Sequence, residues 1–375
     1  MSTSQKREPA GSKQPVRAEI LILLASVGGS FLVYLPFLRD MGPVYRFWDG
    51  PNYLNVARTL YAIRPDNPLL AYVYRPTYFL THLPLYPLTV RFFSFLGYEP
   101  ALLVVSVAST AVASLLFFRL MSDVWRIHSP LFLTFVMLFL PPRWLLYRST
   151  GATEGLFFVL ALASILSFER ERYGRASLFA ALATVTRITG LVFLPAYVVV
   201  LILKKRTRAL AWLALIPSGL FLYFLFCAVR FGDFFAYFRP HGEKLSAFFP
   251  FGFLPELFRK GDYHQAEFHI LLALVYAIGI SRLFSRPVLF WYCVFAFALL
   301  VCVSTEDWSR YFLAMAPFAI VVGFREILET KPLRWIFPLY IPLAVYYCWS
   351  VIPLNGCRPD IYQMLLFHLG LLKVS

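Results

Sequence analysis

The chain has 375 residues, 59% of them hydrophobic and only 15% charged, whereas soluble domains carry roughly 25% charge. That balance excludes an ordinary soluble enzyme and predicts an all-α polytopic membrane protein with no room for a separate soluble domain. A net charge of +15 often signals nucleic acid, but here Lys and Arg are scattered between apolar runs; no nucleic acid is implied, and anionic membrane lipids are the simpler partner.

Residues 1–18, with Lys6, Arg7, Lys13 and Arg17, read as a disordered cytoplasmic tail, followed by a single membrane-embedded unit over 19–375. The first apolar run, Ile20 to Leu38, is too long for a signal-peptide core and lacks a small-residue cleavage site, so it reads as a retained anchor. Further spans are predicted near 100–119, 130–146, 152–168, 175–186, 188–203, 209–229, 267–281, 288–303, 311–324 and 335–352, about eleven in all. The pieces 175–186 and 188–203 are short, and Arg187 to Gly190 is expected at the tip of a broken or tilted pair.

This threading gathers Arg119/Arg126, the Glu169–Arg172 cluster with Arg175, Lys204 to Arg208, Arg282/Arg286 and Arg325/Lys331/Arg334 on one side, which the positive-inside rule makes cytoplasmic. Two large loops, 39–99 and 230–266, then fall on the extracytoplasmic face. Within the first, the stretch from Pro84 to Phe93 is apolar but short, broken by proline and interrupted by Arg91, and is expected to lie on the membrane as an interfacial helix.

Most of the familiar chemistries are missing. Cys227, Cys293, Cys302, Cys348 and Cys357 show no metal spacing and read as small core hydrophobes. The six histidines form no HExxH pattern, and neither a P-loop nor GxGxxG occurs. No metal site is implied, and dependence on a divalent metal stays open. Arginines on the extracytoplasmic face, namely Arg39, Arg46, Arg58, Arg64, Arg75, Arg148, Arg187, Arg239 and Arg310, suit phosphate binding. The plainer account pairs several of them with Asp40, Asp66, Glu154 or Asp233, or has them snorkel to headgroups.

Asp49, in Arg46-Phe47-Trp48-Asp49-Gly50-Pro51-Asn52-Tyr53, stands just outside the first span. A carboxylate among aromatics can act as general base toward an acceptor hydroxyl; the same residue can equally cap a helix that has Pro51 in its first turn. Glu154 is likewise open to two readings, a helix N-terminal acid favoured by the dipole or an intramembrane acid that orients an acceptor hydroxyl or pairs Arg187. Trp48 and Tyr53 suit either the membrane interface or a sugar pocket.

Phe47 to Ala57 resembles the WD(A/G)xxYxxIA pattern of the GPI mannosyltransferase II family, within the GT-C superfamily of polyprenyl-phosphate-sugar glycosyltransferases. Tyr147 to Phe157 is similar to that family's Ser-x-x-Tyr-Thr-Glu-x-Leu-Phe segment, with Ala152 where tyrosine is usual. Leu182 to Gly190 resembles its LAxxTRxxG element, Phe231 to Phe238 its GDxxAF stretch, and Ser309-Arg310-Tyr311 its late Arg-Tyr pair. The resemblance covers most of the chain, in short islands. It implies a GT-C-like fold and an extracytoplasmic transferase that moves a sugar, mannose by analogy, from a polyprenyl-phosphate carrier such as dolichyl-phosphate mannose to a lipid or glycolipid acceptor. Asp49 would be the base, and Trp48, Tyr53, Glu154, Arg187, Asp233 and Arg310 the substrate-binding set. The membrane would be the plasma membrane in a prokaryote and the endoplasmic reticulum in a eukaryote. The competing readings are a lipid-linked-sugar flippase or other transporter, and a non-catalytic subunit of a glycosylation complex.

Overall fold

Where water is excluded, a segment must satisfy its own backbone hydrogen bonds, so long apolar runs fold as helices. The computed structural model describes residues 13–73, 75–241, 249–303, 307–354 and 356–372, and among them helices and helical turns are the only regular elements, with no strand. The all-α expectation is met.

Helix α1 (Lys13–Tyr34) opens the chain. The expected tail therefore ends early: residues 13–18 are already helical, and 1–12 lie outside the described residues. Helices α2 (Gly50–Thr59) and α3 (Leu85–Phe92) occupy the first long loop. Next come α4 (Tyr98–Arg119), α5 (Pro130–Phe139), α6 (Pro142–Arg148), α7 (Glu154–Glu169) and α8 (Tyr173–Thr184). They are followed by α9 (Phe193–Leu203), α10 (Leu215–Phe231), α11 (Leu254–Lys260) and α12 (Tyr263–Ser281). The described part ends with α13 (Pro287–Leu300), α14 (Lys331–Val351) and α15 (Pro359–His368).

Four of the described segments are long and apolar enough to cross a membrane: Val16–Phe37, Tyr98–Val124, Thr207–Phe231 and Lys331–Leu354. Helices α5 and α6 together make a fifth, bent by 77°. The bend falls at Pro141 and Pro142, which lack the backbone donors a continuous helix needs, so the single span expected over 130–146 is broken. The expected span 311–324 is not a regular helix either. It is a 3₁₀ turn (Phe312–Met315) running into a π-helical turn (Pro317–Val322), almost wholly buried. Other expected crossings are short apolar helices, such as Ile188–Leu203 and Pro287–Leu300. Of the eleven expected crossings, length and apolarity support four, or five with the bent pair.

The first long loop is a packed layer. Its Tyr53, Leu54, Phe79, Leu80 and Tyr86 bury against Tyr223 and Phe224 of α10 and against Tyr362 and Leu365 of α15. Polar ties fix it further. Arg91 Nη1 donates to the carbonyls of Ala57 and Arg58, both at 3.0 Å, closing the end of α2. Arg58 Nε donates to Leu369 O at 3.1 Å, and the Leu85 amide to Val185 O at 3.0 Å. Helix α3 rises only about 12 Å, far less than the ~30 Å hydrocarbon layer, so it does not cross. It buries Tyr86 and Val90 while Leu88, Phe92 and, just beyond, Phe95 and Leu96 face outward. The second long loop contains α11, with 242–248 outside the described residues.

Candidate functional site

The chain enters α2 through a constrained turn. Trp48 adopts a φ of 49°, uncommon for a residue with a Cβ, and at Gly50 a Cβ would lie 2.3 Å from Tyr45 O. Asp49 thereby takes the N-cap position, its carbonyl accepting from the Tyr53 amide at 3.0 Å, yet its side chain makes no capping hydrogen bond. The carboxylate points elsewhere: Oδ2 lies 2.7 Å from Arg310 Nη1. Capping describes the backbone of Asp49 but leaves its carboxylate unexplained.

Glu154 opens α7 and is only 2% exposed. Its Oε1 accepts from Arg187 Nη1 at 2.7 Å and from Arg310 Nε at 2.8 Å, so one carboxylate oxygen ties two guanidinium groups together. Arg187 reaches it because the chain between α8 and the 3₁₀ turn Ile188–Val192 runs extended at Arg187 (φ −147°, ψ 134°). That turn packs tightly on α8 at Gly190, where a Cβ would meet the Ala183 carbonyl carbon and the Thr184 nitrogen at 2.6 Å. Arg187 Nη1 also donates to Thr153 Oγ1 at 3.1 Å.

Arg310, on the short helix Trp308–Tyr311, lies over the Tyr147 ring at 4.2 Å and within 3.8 Å of Asp307. Asp307 in turn accepts from Tyr147 Oη at 3.4 Å and pairs with Arg143. Three carboxylates and three guanidinium groups thus interlock, as charges withdrawn from water must. Burial by itself would raise the Asp49 carboxyl, but the Arg310 guanidinium pulls the other way, and the group lies well below the usual carboxylate range.

The cluster opens on a cavity of about 860 Å³ whose lining includes Trp48, Asp49, His82, Arg187, Arg310 and Tyr311. Its size falls within the range of ligand pockets, roughly 300–1,000 Å³. Among the expected site residues, Asp49, Trp48, Tyr53, Arg187 and Arg310 line this space; Glu154 does not, and is bonded to the two arginines that do. Trp48 is 45% exposed, and Tyr53 is buried edge-on against His82 and Tyr86, with ring centroids 5.0 and 4.9 Å apart.

Asp233 is not brought to the site. Gly232, left-handed at φ 73°, ends α10, and Asp233 then accepts from Arg239 Nε at 2.8 Å and from the Phe235 amide at 3.0 Å. The hydrogen bond from Arg239 holds its carboxyl below the ordinary value. Local turn geometry accounts for the residue.

The other arginines divide similarly. Arg64 pairs with Asp66, and Arg46 donates to Cys357 O. Arg148 is fully buried and donates to Leu138 O, Ser26 O and Ser30 Oγ, which makes it a brace inside the helices rather than a phosphate ligand.

His82, Asp307 and Arg143 join the cluster without having been singled out in the sequence. Asp307 had a readable signal, an acid three residues before Arg310. His82 had little, standing in the irregular stretch Tyr78-Phe79-Leu80-Thr81-His82-Leu83-Pro84. Among the described residues no three of His, Cys, Asp and Glu come together in a way that would hold a metal ion. No protein-family model matches the chain, and no curated protein is significantly similar to it in sequence.

Proposed function

We propose that the chain is a membrane glycosyltransferase that moves a sugar, mannose by family analogy, from a polyprenyl-phosphate carrier to a hydroxyl of a lipid-linked or membrane-proximal acceptor. The observation that carries this reading is the pair Arg187 and Arg310, joined by Glu154 and lining the same cavity as Asp49. Transfer at an anomeric carbon needs positive charge beside the departing phosphate and a proton-accepting group beside the incoming hydroxyl. Two guanidinium groups held by one buried carboxylate meet the first need, because their geometry is set before the phosphate arrives and costs no reorganisation later. The Asp49 side of the cavity meets the second. The exposed apolar row of Leu88, Phe92, Phe95 and Leu96 beside this layer suits a substrate that arrives in the plane of a lipid surface, on the extracytoplasmic face by the charge pattern of the loops.

The test is transfer in liposomes that contain the purified chain, radiolabelled polyprenyl-phosphate mannose and a membrane-lipid acceptor extract. Asp49→Asn, which keeps size and hydrogen bonding while removing the negative charge, is expected to lower transfer by about 10²–10⁴-fold. Arg187→Gln and Arg310→Gln are expected to weaken the hold on polyprenyl phosphate as well. Unchanged transfer by Asp49→Asn refutes the assignment of the site. Movement of the labelled lipid across the bilayer without transfer would make the chain a carrier.

A further inference from the structure

His82 lines the same cavity, in a position that calls for a role the arginines and Asp49 do not fill. It follows the 3₁₀ turn Pro76–Thr81, is 5% exposed, and is enclosed by Tyr53 from α2 and by Tyr78 and Phe79 from its own segment, with ring centroids 5.0, 5.4 and 6.3 Å away. Tyr61 Oη donates to its carbonyl at 2.6 Å. Thr81 Oγ1 gives its proton to Tyr78 O at 2.8 Å and lies 3.3 Å from His82 Nδ1. A hydroxyl has one proton to give, so toward His82 it accepts, and Nδ1 carries the ring hydrogen.

In the neutral ring that leaves the lone pair on Nε2, which faces Asp49 Oδ1 at 3.9 Å. Two acceptors meet there across a gap too long for a direct hydrogen bond. An acceptor O–H placed between them has one proton, which it can give to either atom. Asp49 divides its oxygens accordingly, Oδ2 to Arg310 and Oδ1 toward His82.

We propose that His82 Nε2 is the group that takes the proton of the acceptor hydroxyl, and that Asp49 stabilises the imidazolium so formed. The proposal rests on the glycosyl-transfer reading of the same cavity and alters its assignment of the base. The acceptor O–H bond breaks and its proton passes to Nε2. Its oxygen forms a bond to the anomeric carbon as the bond from that carbon to the phosphate oxygen breaks, and the phosphate leaves with the electron pair beside Arg187 and Arg310. One positive charge appears at His82 as one negative charge appears on the phosphate, so the charge of the site is unchanged through the step. This division of labour also answers the difficulty of Asp49 as base: the cation that holds its carboxyl low makes it a weak proton acceptor but a steady anion.

The experiment compares wild type with His82→Gln in the liposome assay and measures polyprenyl-phosphate binding separately. Transfer is expected to fall by about 10²–10⁴-fold, with polyprenyl-phosphate affinity within about threefold. Free imidazole is expected to restore part of the transfer by His82→Ala. Retention of more than a third of the wild-type rate overturns the proposal and returns the base to Asp49. A wild type that transfers nothing refutes the glycosyl-transfer reading instead. Nitrogen NMR of histidine-labelled protein still judges His82 in that case, its signals assigned by their loss in His82→Gln. An Nδ1–H tautomer whose ring-nitrogen signals move in Asp49→Asn supports the pair; an Nε2–H tautomer, or signals indifferent to Asp49, overturns it.

Discussion

Glu154→Gln tests the pairing on which the site depends. The wild-type carboxylate accepts two charge-assisted hydrogen bonds on one oxygen, from Arg187 at 2.7 Å and Arg310 at 2.8 Å, while Oε2 is buried with no hydrogen-bond partner. Glutamine keeps an acceptor in place but turns each ion pair into a bond from a guanidinium to a neutral oxygen, a loss of about 1 kcal/mol each. Its amide also puts donors where Oε2 was, at a further cost of about 1–3 kcal/mol if they stay unpaired. Arg310 retains Asp49 and Asp307, whereas Arg187 is left with Thr153. The sum is about 3–5 kcal/mol, and Glu154→Ala, which leaves Arg187 without a carboxylate, should cost a comparable amount, about 3–5 kcal/mol. Thermal unfolding in detergent, followed by tryptophan fluorescence, measures it. Arg187→Gln should then cost less in the Glu154→Gln background than in wild type, with a coupling of about 0.5–3 kcal/mol. Additive costs, or a Glu154→Gln protein as stable as wild type, would refute the claim that this carboxylate holds the two arginines together.

Three further outcomes follow from the geometry. Gly190→Ala, whose Cβ would meet α8 backbone at 2.6 Å, should displace the turn that presents Arg187, lowering both stability and polyprenyl-phosphate affinity; unchanged binding would show that the turn does not set Arg187. Asp233→Asn should change transfer by less than about threefold, because the residue lies outside the cavity lining and an exposed pair with Arg239 is worth little. The folded-state value of Asp49 lies below its unfolded value of about 3.9. Its ion pair therefore contributes fully above that pH and is lost only as pH falls through the depressed value. At neutral pH, where the carboxylate is ionised and paired with Arg310, Asp49→Asn should thus lower stability; an unchanged midpoint of thermal unfolding would contradict the pair.

The elements were legible because apolar runs of this length have few alternatives to helix, and their approximate bounds follow. Crossing number was less legible, because hydropathy cannot tell a spanning run from one enclosed by neighbouring helices: 311–324 is apolar enough to be read as a span, yet it folds as a 3₁₀ turn and a π-turn inside the bundle. The break at Pro141 and Pro142 is written in the residues, where two adjacent prolines interrupt an otherwise span-length apolar run. Gly190 marked its turn plainly.

The site shows a sharper division. Asp49, Arg187 and Arg310 were named from short islands, but that Glu154 serves the arginines rather than a ligand is a contact across 156 residues, which no local pattern encodes. Acids were the better guides, being scarcer, with 20 Asp and Glu against 35 Lys and Arg. In this chain an arginine can be spent on a carbonyl, as Arg46 and Arg58 are, whereas a buried carboxylate must find a cation or lose its charge. Glu154 has no Lys or Arg within four residues on either side, so its partners had to come from elsewhere in the fold, and they brought Asp49 and Asp307 with them. Asp233 is the converse case: Arg239 lies six residues on, the turn closes the pair locally, and nothing remains to draw the residue into the cavity. Between Glu154 and Asp233, the acid without a nearby basic partner was thus the stronger pointer to the site, and the acid inside a family-like island with its partner close by the weaker one.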